Sequence, residues 1–184
     1  MSVVGVLLAA GEGRRMGMPK ALVRDADGSS WLIRATAALD EGGCDQVVVV
    51  LGAGADQAEA MLASVPVEVI VAPDWATGMS ASLRAGLGFL LEGDAAVISL
   101  VDLPDVGADV VRRLIDSGAG PDALARATYD GRPGHPVLIG RHHWGGVLRS
   151  AVGDHGARDY LAEHDHLLVE CADLATGVDV DSRA

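Results

Sequence analysis

The chain has 184 residues, of which 49% are hydrophobic, 22% charged and 3% aromatic, so a core of alanine, valine and leucine can form and extended disorder is excluded. A formal net charge of −12 sets most of the surface against polyanions and excludes nucleic acid as a partner. Two cysteines, Cys44 and Cys171, are too few for a disulfide scaffold and lack zinc-site spacing, as expected of a reducing, cytoplasmic setting.

Val3 to Ala9 reads as a buried strand running into the glycine-rich stretch Gly11 to Gly17. It is too short to cross a bilayer, and its flanking positive charges follow it instead of preceding it, unlike a signal peptide, so no membrane association is expected. Ser29 or Ser30 caps a helix carrying Leu32, Ala35, Thr36 and Leu39 on one face, which Gly42 and Gly43 stop. Gln46 to Leu51 is the second strand, Asp56 to Ala63 a helix and Val67 to Val71 the third strand. The leucines of Met79 to Leu91 form a helical stripe, preceded by Gly78 and supplied with serines for a cap; Ala95 to Leu100 is the fourth strand. Val110, Val111, Leu114 and Ile115 mark a helix that Asp105 or Asp109 caps. Strands at 123–127, 136–139 and 167–170 and helices at 144–150 and 157–163 complete the chain, expected as one domain over residues 1–184.

Strands alternating with helices predict an α/β, Rossmann-like three-layer fold with a mostly parallel sheet, whose ligands collect at the carboxyl ends of the strands. The informative residues cluster at those ends. Gly11 to Lys20 follows strand one, Trp75 to Ser82 follows strand three and Asp102 follows strand four.

The segment Leu8-Ala-Ala-Gly-Glu-Gly-Arg-Arg-Met-Gly-Met-Pro-Lys20 combines backbone-exposing glycines with three cations, the chemistry of a phosphate cradle. It is not a Walker A loop, since Lys20 follows Pro19 and no Gly-Lys-Ser/Thr exists, nor a dinucleotide fingerprint, since Met16 stands where a third glycine belongs. Lys20 is the only lysine, beside 13 arginines, which suits a role needing a compact ammonium instead of a planar guanidinium. Asp102 offers hard oxygens where a buried strand opens to solvent, a placement that suits Mg²⁺; a turn residue is the alternative. The pairs His142-His143 and His164/His166 read as surface residues, whereas His135, between Gly134 and Pro136, is a candidate for an acceptor site. Trp31, Trp75 and Trp144 read as core or rim.

Together with the opening motif, Asp102-Leu-Pro, Trp75-Ala-Thr-Gly-Met-Ser-Ala-Ser-Leu83, Gly134-His-Pro136, Gly153-Asp-His-Gly-Ala-Arg158 and Asp179-Val-Asp-Ser182 resemble the nucleotidyltransferases that attach CMP or GMP to molybdopterin. The resemblance spans nearly the whole chain. It implies an Mg²⁺-dependent transfer of a nucleoside monophosphate, CMP from CTP in preference to GMP from GTP, to the phosphate of a molybdopterin-type acceptor, with release of pyrophosphate and passing contact with a molybdoenzyme. Position by position, it implies that Leu8, Ala9, Ala10, Gly11 and Gly13 lie against the nucleotide, that Arg14, Arg15 and Lys20 hold the triphosphate, and that Gly78, Ser80 and Ser82 contact the base. Asp102 and Asp179 would hold the metal, with Asp181 the alternative to Asp179 as the second ligand. The terminal motif departs from the pattern, since Ser182-Arg-Ala follows where relatives continue with Pro-Glu-Asp. A sugar- or polyol-phosphate nucleotidylyltransferase, and a non-catalytic molybdopterin-nucleotide carrier, are the alternative readings.

Overall fold

A computed structural model describes residues 1–181; Ser182, the last residue of the terminal motif, lies outside the described residues. Strands β1 (Val3–Leu8), β2 (Gln46–Leu51), β3 (Glu68–Val71), β4 (Ala95–Leu100), β5 (Leu124–Tyr129), β6 (Arg132–Gly140) and β7 (Leu167–Glu170) alternate with helices α1 (Trp31–Glu41), α2 (Ala55–Leu62), α3 (Met79–Phe89), α4 (Ala108–Asp116), α5 (Arg141–Ser150) and α6 (Arg158–Glu163). The strands form one sheet in the order β3-β2-β1-β4-β6-β5-β7. All pairs are parallel except those of β6, which runs antiparallel to β4 and β5.

Each central strand is buried on both faces and therefore reads as an unbroken apolar run. Leu7, Val49 and Val97 face a core layer completed by Leu32 and Leu39 of α1, Leu62 of α2 and Leu114 of α4. Val6, Val50 and Ile98 face the opposite layer, with Leu83 and Leu87 of α3, Trp144 and Val147 of α5, and Tyr160 and Leu161 of α6. Each fully buried leucine contributes about 1.5–3 kcal/mol. Gly86 sets the spacing of α3, because a Cβ there would stand 2.6 Å from Val6 Cγ1.

Several local expectations are decided by partners distant in sequence. Ser30, not Ser29, caps α1, accepting from the Ile33 amide. Neither Asp105 nor Asp109 caps α4: Gly107 occupies the N-cap position without a side-chain bond, and Asp105 instead accepts from the Thr176 amide and hydroxyl, both at 2.6 Å. The serines of α3 do not cap it either. Its first amide, Met79 N–H, donates to Asp154 Oδ1 at 3.2 Å, and Ser80 N–H donates to the Gly153 carbonyl at 2.9 Å.

β5 and β6 extend further than the sequence suggests, meeting in a hairpin whose turn residues Asp130 and Gly131 both take positive φ, 52° and 73°, as a primed turn requires. The Glu170 carboxylate accepts from both turn amides and from the Thr128 hydroxyl. Those backbone bonds hold the carboxyl at about 2.

Candidate functional site

Because β1 pairs with β2 on one side and with β4 on the other, the connections diverge there and a crevice opens at the carboxyl ends of β1 and β4. It is a cleft of about 640 Å³. Its floor is Leu8, Ala10 and Leu100, one rim is the 11–15 loop, the other is Trp75, Gly78, Met79 and Ser82, and its far end carries Lys20, Asp102, Asp179 and Asp181.

The glycine-rich loop is shaped by its own backbone. Met16 and Gly17 amides donate to the Gly13 carbonyl, and Lys20 N–H donates to the Gly11 carbonyl at 3.0 Å. Gly13 takes φ 62°, and a Cβ there would lie 2.1 Å from the Met18 carbonyl oxygen, so only glycine closes this turn. The turn delivers Lys20 back to the sheet edge, where its Nζ donates to Asp102 and, at 2.7 Å, to Asp181 Oδ1.

The 176–181 segment lies across the same edge. Val180 N–H donates to the Asp102 carbonyl at 2.9 Å, and Gly177 packs so closely on Tyr129 that a Cβ would fall 2.0 Å from its ring. One carboxylate oxygen each from Asp102, Asp179 and Asp181 thereby comes within 4.8 Å of the others. Three hard oxygen donors this close repel one another unless a cation sits among them, and a divalent ion fits that donor set. In the structure Lys20 supplies positive charge there. Burial disfavours its ammonium, but Asp102 and Asp181 outweigh that and raise its pKa, while Lys20 lowers that of Asp181. Arg15 adds a long, exposed contact to Asp181 at 3.4 Å.

Of the residues expected at a site, Leu8, Ala10, Gly11, Gly13, Arg14, Arg15, Lys20, Gly78, Ser82, Asp102 and Asp179 line the cleft. Three do not. Ala9 is fully buried in the core beneath it. Ser80 is 1% exposed, its Oγ accepting from the Gly156 amide, so it braces α3 against the 153–156 loop and presents no edge to a base. His135 is not among the residues lining the cleft; burial, then Arg126 and Arg158, push the pKa of its imidazole down to about 4.

Arg14, though at the rim, spends its Nε–H on Glu12 at 2.8 Å. Sequence reasoning gave no site role to Asp154 or Met79, although both lie within quoted motifs, and left Asp181 as the alternative to Asp179; the structure brings all three to the cleft. Trp75 proves to be rim, while Trp31 and Trp144 are core. His142 and His143 bond Asp122 and Tyr160, and His164 and His166 bond backbone carbonyls, so among the described residues they assemble no metal site.

The family described as a MobA-like NTP transferase domain matches residues 5–167. A Paenarthrobacter nicotinovorans protein named nicotine blue oxidoreductase is 36% identical over 98% of this chain and 92% of its own. A probable molybdenum cofactor guanylyltransferase of Mycobacterium ulcerans is 28% identical over 77% of this chain and 69% of its own. The crystal structure of Rv0371c from Mycobacterium tuberculosis superposes with a TM-score of 0.81 at 30% identity, over 99% of this chain and 93% of that one. The same protein in complex with manganese gives a TM-score of 0.76 at 28% identity, over 98% and 94% of the two chains.

Proposed function

The chain belongs to the MobA-like NTP transferase family, and we propose that it transfers a nucleoside monophosphate, CMP from CTP in preference to GMP from GTP, to the phosphate of a molybdopterin-type acceptor. The observation that carries this reading is the meeting of Lys20, Asp102, Asp179 and Asp181 at the end of a glycine-lined cleft. An acceptor phosphate oxygen forms a bond to the α-phosphorus as the bond from that phosphorus to the bridging oxygen breaks, and the electron pair leaves with pyrophosphate. No covalent enzyme intermediate is needed, so the protein's work is positioning and charge neutralisation.

Backbone around Gly11 and Gly13 admits the triphosphate, and Arg15 and Lys20 offset charge on the leaving pyrophosphate. Asp102 and Asp179, with Asp181 beside them, would hold Mg²⁺, which supplies positive charge to phosphate oxygens when bound. The manganese complex of the related Rv0371c supports a divalent ion.

Base choice rests on Ala10. Its methyl lines the cleft and takes space that a glycine there would leave to a larger ring, and Ser82 offers a hydroxyl nearby. The test is pyrophosphate release with each triphosphate, Mg²⁺ and molybdopterin. CTP should turn over faster than GTP, and Ala10→Gly should narrow the gap; no release with any triphosphate would refute nucleotidyl transfer, and equal rates would refute the CTP assignment.

The relative named an oxidoreductase favours a second reading, electron transfer to a planar aromatic bound against Trp75. Consumption of a reduced nicotinamide cofactor by the purified chain in the presence of a dye acceptor, without pyrophosphate release, would replace the first reading with this one.

A further inference from the structure

The three cations of the 11–20 loop are all engaged by carboxylates of the chain itself. Arg14 pairs with Glu12, Arg15 with Asp181, and Lys20 with Asp102 and Asp181. Asp181 meets its two cations with different atoms: Oδ1 accepts from Lys20 Nζ at 2.7 Å, and Oδ2 from Arg15 Nη1 at 3.4 Å. A carboxylate that bridges a lysine and an arginine in this way presents the charge and the paired acceptors of a phosphate edge.

Asp181 reaches these cations from a segment outside every strand and helix. Thr176 donates its amide and hydroxyl to Asp105, Gly177 packs on the Tyr129 ring, and Val180 N–H donates to the Asp102 carbonyl at 2.9 Å. These contacts anchor the backbone, whereas the Asp181 side chain, 43% exposed, is held only by the two cations among the described residues. It can therefore turn away without breaking the anchors. An anion that takes Lys20 and Arg15 must displace Asp181 and then lies close to three carboxylates that repel it. That penalty falls when the anion brings a divalent cation, because the freed carboxylate has Asp102 and Asp179 oxygens within 4.8 Å of one of its own with which to share the ion.

We propose that Asp181 is an internal stand-in for the nucleotide's triphosphate, closing the Lys20 and Arg15 seat to anions that arrive without a divalent ion and yielding it to the metal-bound nucleotide. Naming the anion as a triphosphate rests on the nucleotidyl-transfer reading; the competition for Lys20 and Arg15 does not.

The test is calorimetric binding of inorganic pyrophosphate to the full chain, in EDTA and in saturating Mg²⁺. In EDTA, Asp181→Asn should bind pyrophosphate about tenfold more tightly than the parent, as expected when a ligand no longer has to break one charge-assisted contact. In Mg²⁺ that gain should disappear, because the parent carboxylate has then turned to the ion. Gly177→Ala removes no charge but sets a Cβ 2.0 Å from the ring of Tyr129, whose hydroxyl is fixed on the His135 carbonyl, so the segment must lift and take Asp181 with it. This variant should also tighten binding in EDTA and should weaken it in Mg²⁺, where Asp179 is displaced as well. Both positions follow the last strand, β7, so the sheet is retained. Failure of either variant to tighten binding in EDTA overturns the stand-in, and a gain of equal size in Mg²⁺ overturns its dependence on the ion. Such a failure in a protein that releases pyrophosphate from a triphosphate refutes the stand-in alone, whereas the expected gains in a protein that releases none refute the transfer reading and the naming of the anion with it.

Discussion

Substituting Gly78 by alanine tests how a single backbone position ties the fold to the cleft. Gly78 precedes α3 with φ 123° and ψ 177°, a region essentially reserved for glycine. A Cβ there would lie 2.6 Å from both Asp154 Oδ1 and the Gly153 carbonyl oxygen. The backbone strain costs about 1–3 kcal/mol. Moving the 153–154 loop away also removes the Asp154 bond to the Met79 amide, worth about 1 kcal/mol as a helix cap. The sum is about 3 kcal/mol, or roughly 6–12 °C in Tm for a chain of this size. Urea denaturation followed by circular dichroism should show the midpoint falling with the slope unchanged. Asp154→Ala, which removes only the cap, should cost about 1 kcal/mol, and the double variant should cost less than the two singles added, because they share one contact. Because Gly78, Met79 and Asp154 all border the cleft, Gly78→Ala should also weaken triphosphate binding in calorimetry. A Gly78→Ala protein within about 0.5 kcal/mol of the parent, the range of ordinary surface changes, would refute the reasoning.

Lys20→Arg retains positive charge but replaces the compact ammonium that reaches both Asp102 and Asp181; most turnover should be lost with Tm nearly unchanged, and near-parental pyrophosphate release would show that a guanidinium serves equally well. Mg²⁺ or Mn²⁺ at a hundredfold excess over Kd should stabilise the parent by about 2.7 kcal/mol, read as a rise in Tm; Asp102→Asn and Asp179→Ala should abolish the rise, and its persistence in both would remove these carboxylates from the metal site. His135 has an ordinary value of 6.5 and is held at about 4 in the fold, so the native state resists a proton that the unfolded chain accepts. Stability should therefore be complete above pH 6.5 and decline as pH falls to 4, by at most about 3 kcal/mol; in His135→Gln that part of the decline should vanish, and denaturation curves with the same pH slope in both proteins would show that the imidazole is not held neutral.

The second and fourth strands could be placed from the sequence because each is an apolar run buried on both faces: their expected bounds, 46–51 and 95–100, match the structure, as do those of the edge strand β7, 167–170. The β5–β6 hairpin was missed at its tip, where Arg132, Pro133 and Gly134 interrupt the apolar pattern and the pairing is sustained by the Asp130-Gly131 turn and by Glu170 on β7. Residues of the glycine loop, Lys20 and Asp102 were recognisable because their chemistry is unusual in this composition. Ser80 misled because a hydroxyl near a cleft looks the same in sequence whether it faces a ligand or a neighbouring amide.

Periodicity and chain order determined the layers, the carboxyl-edge location of the cleft and the loop that borders it, since burial of an apolar face and closure of a glycine turn depend on neighbours within a few residues. Only the tertiary structure decided that Asp181 joins Asp102 on Lys20 and that Asp154 caps α3. Each of these contacts joins segments carried by different elements, and the parts have no shared pattern along the chain. Their meeting is set by the strand order and by the 176–181 segment lying across the sheet edge, where hydrogen bonds to Asp102 and Asp105 and the close packing on Tyr129 hold it.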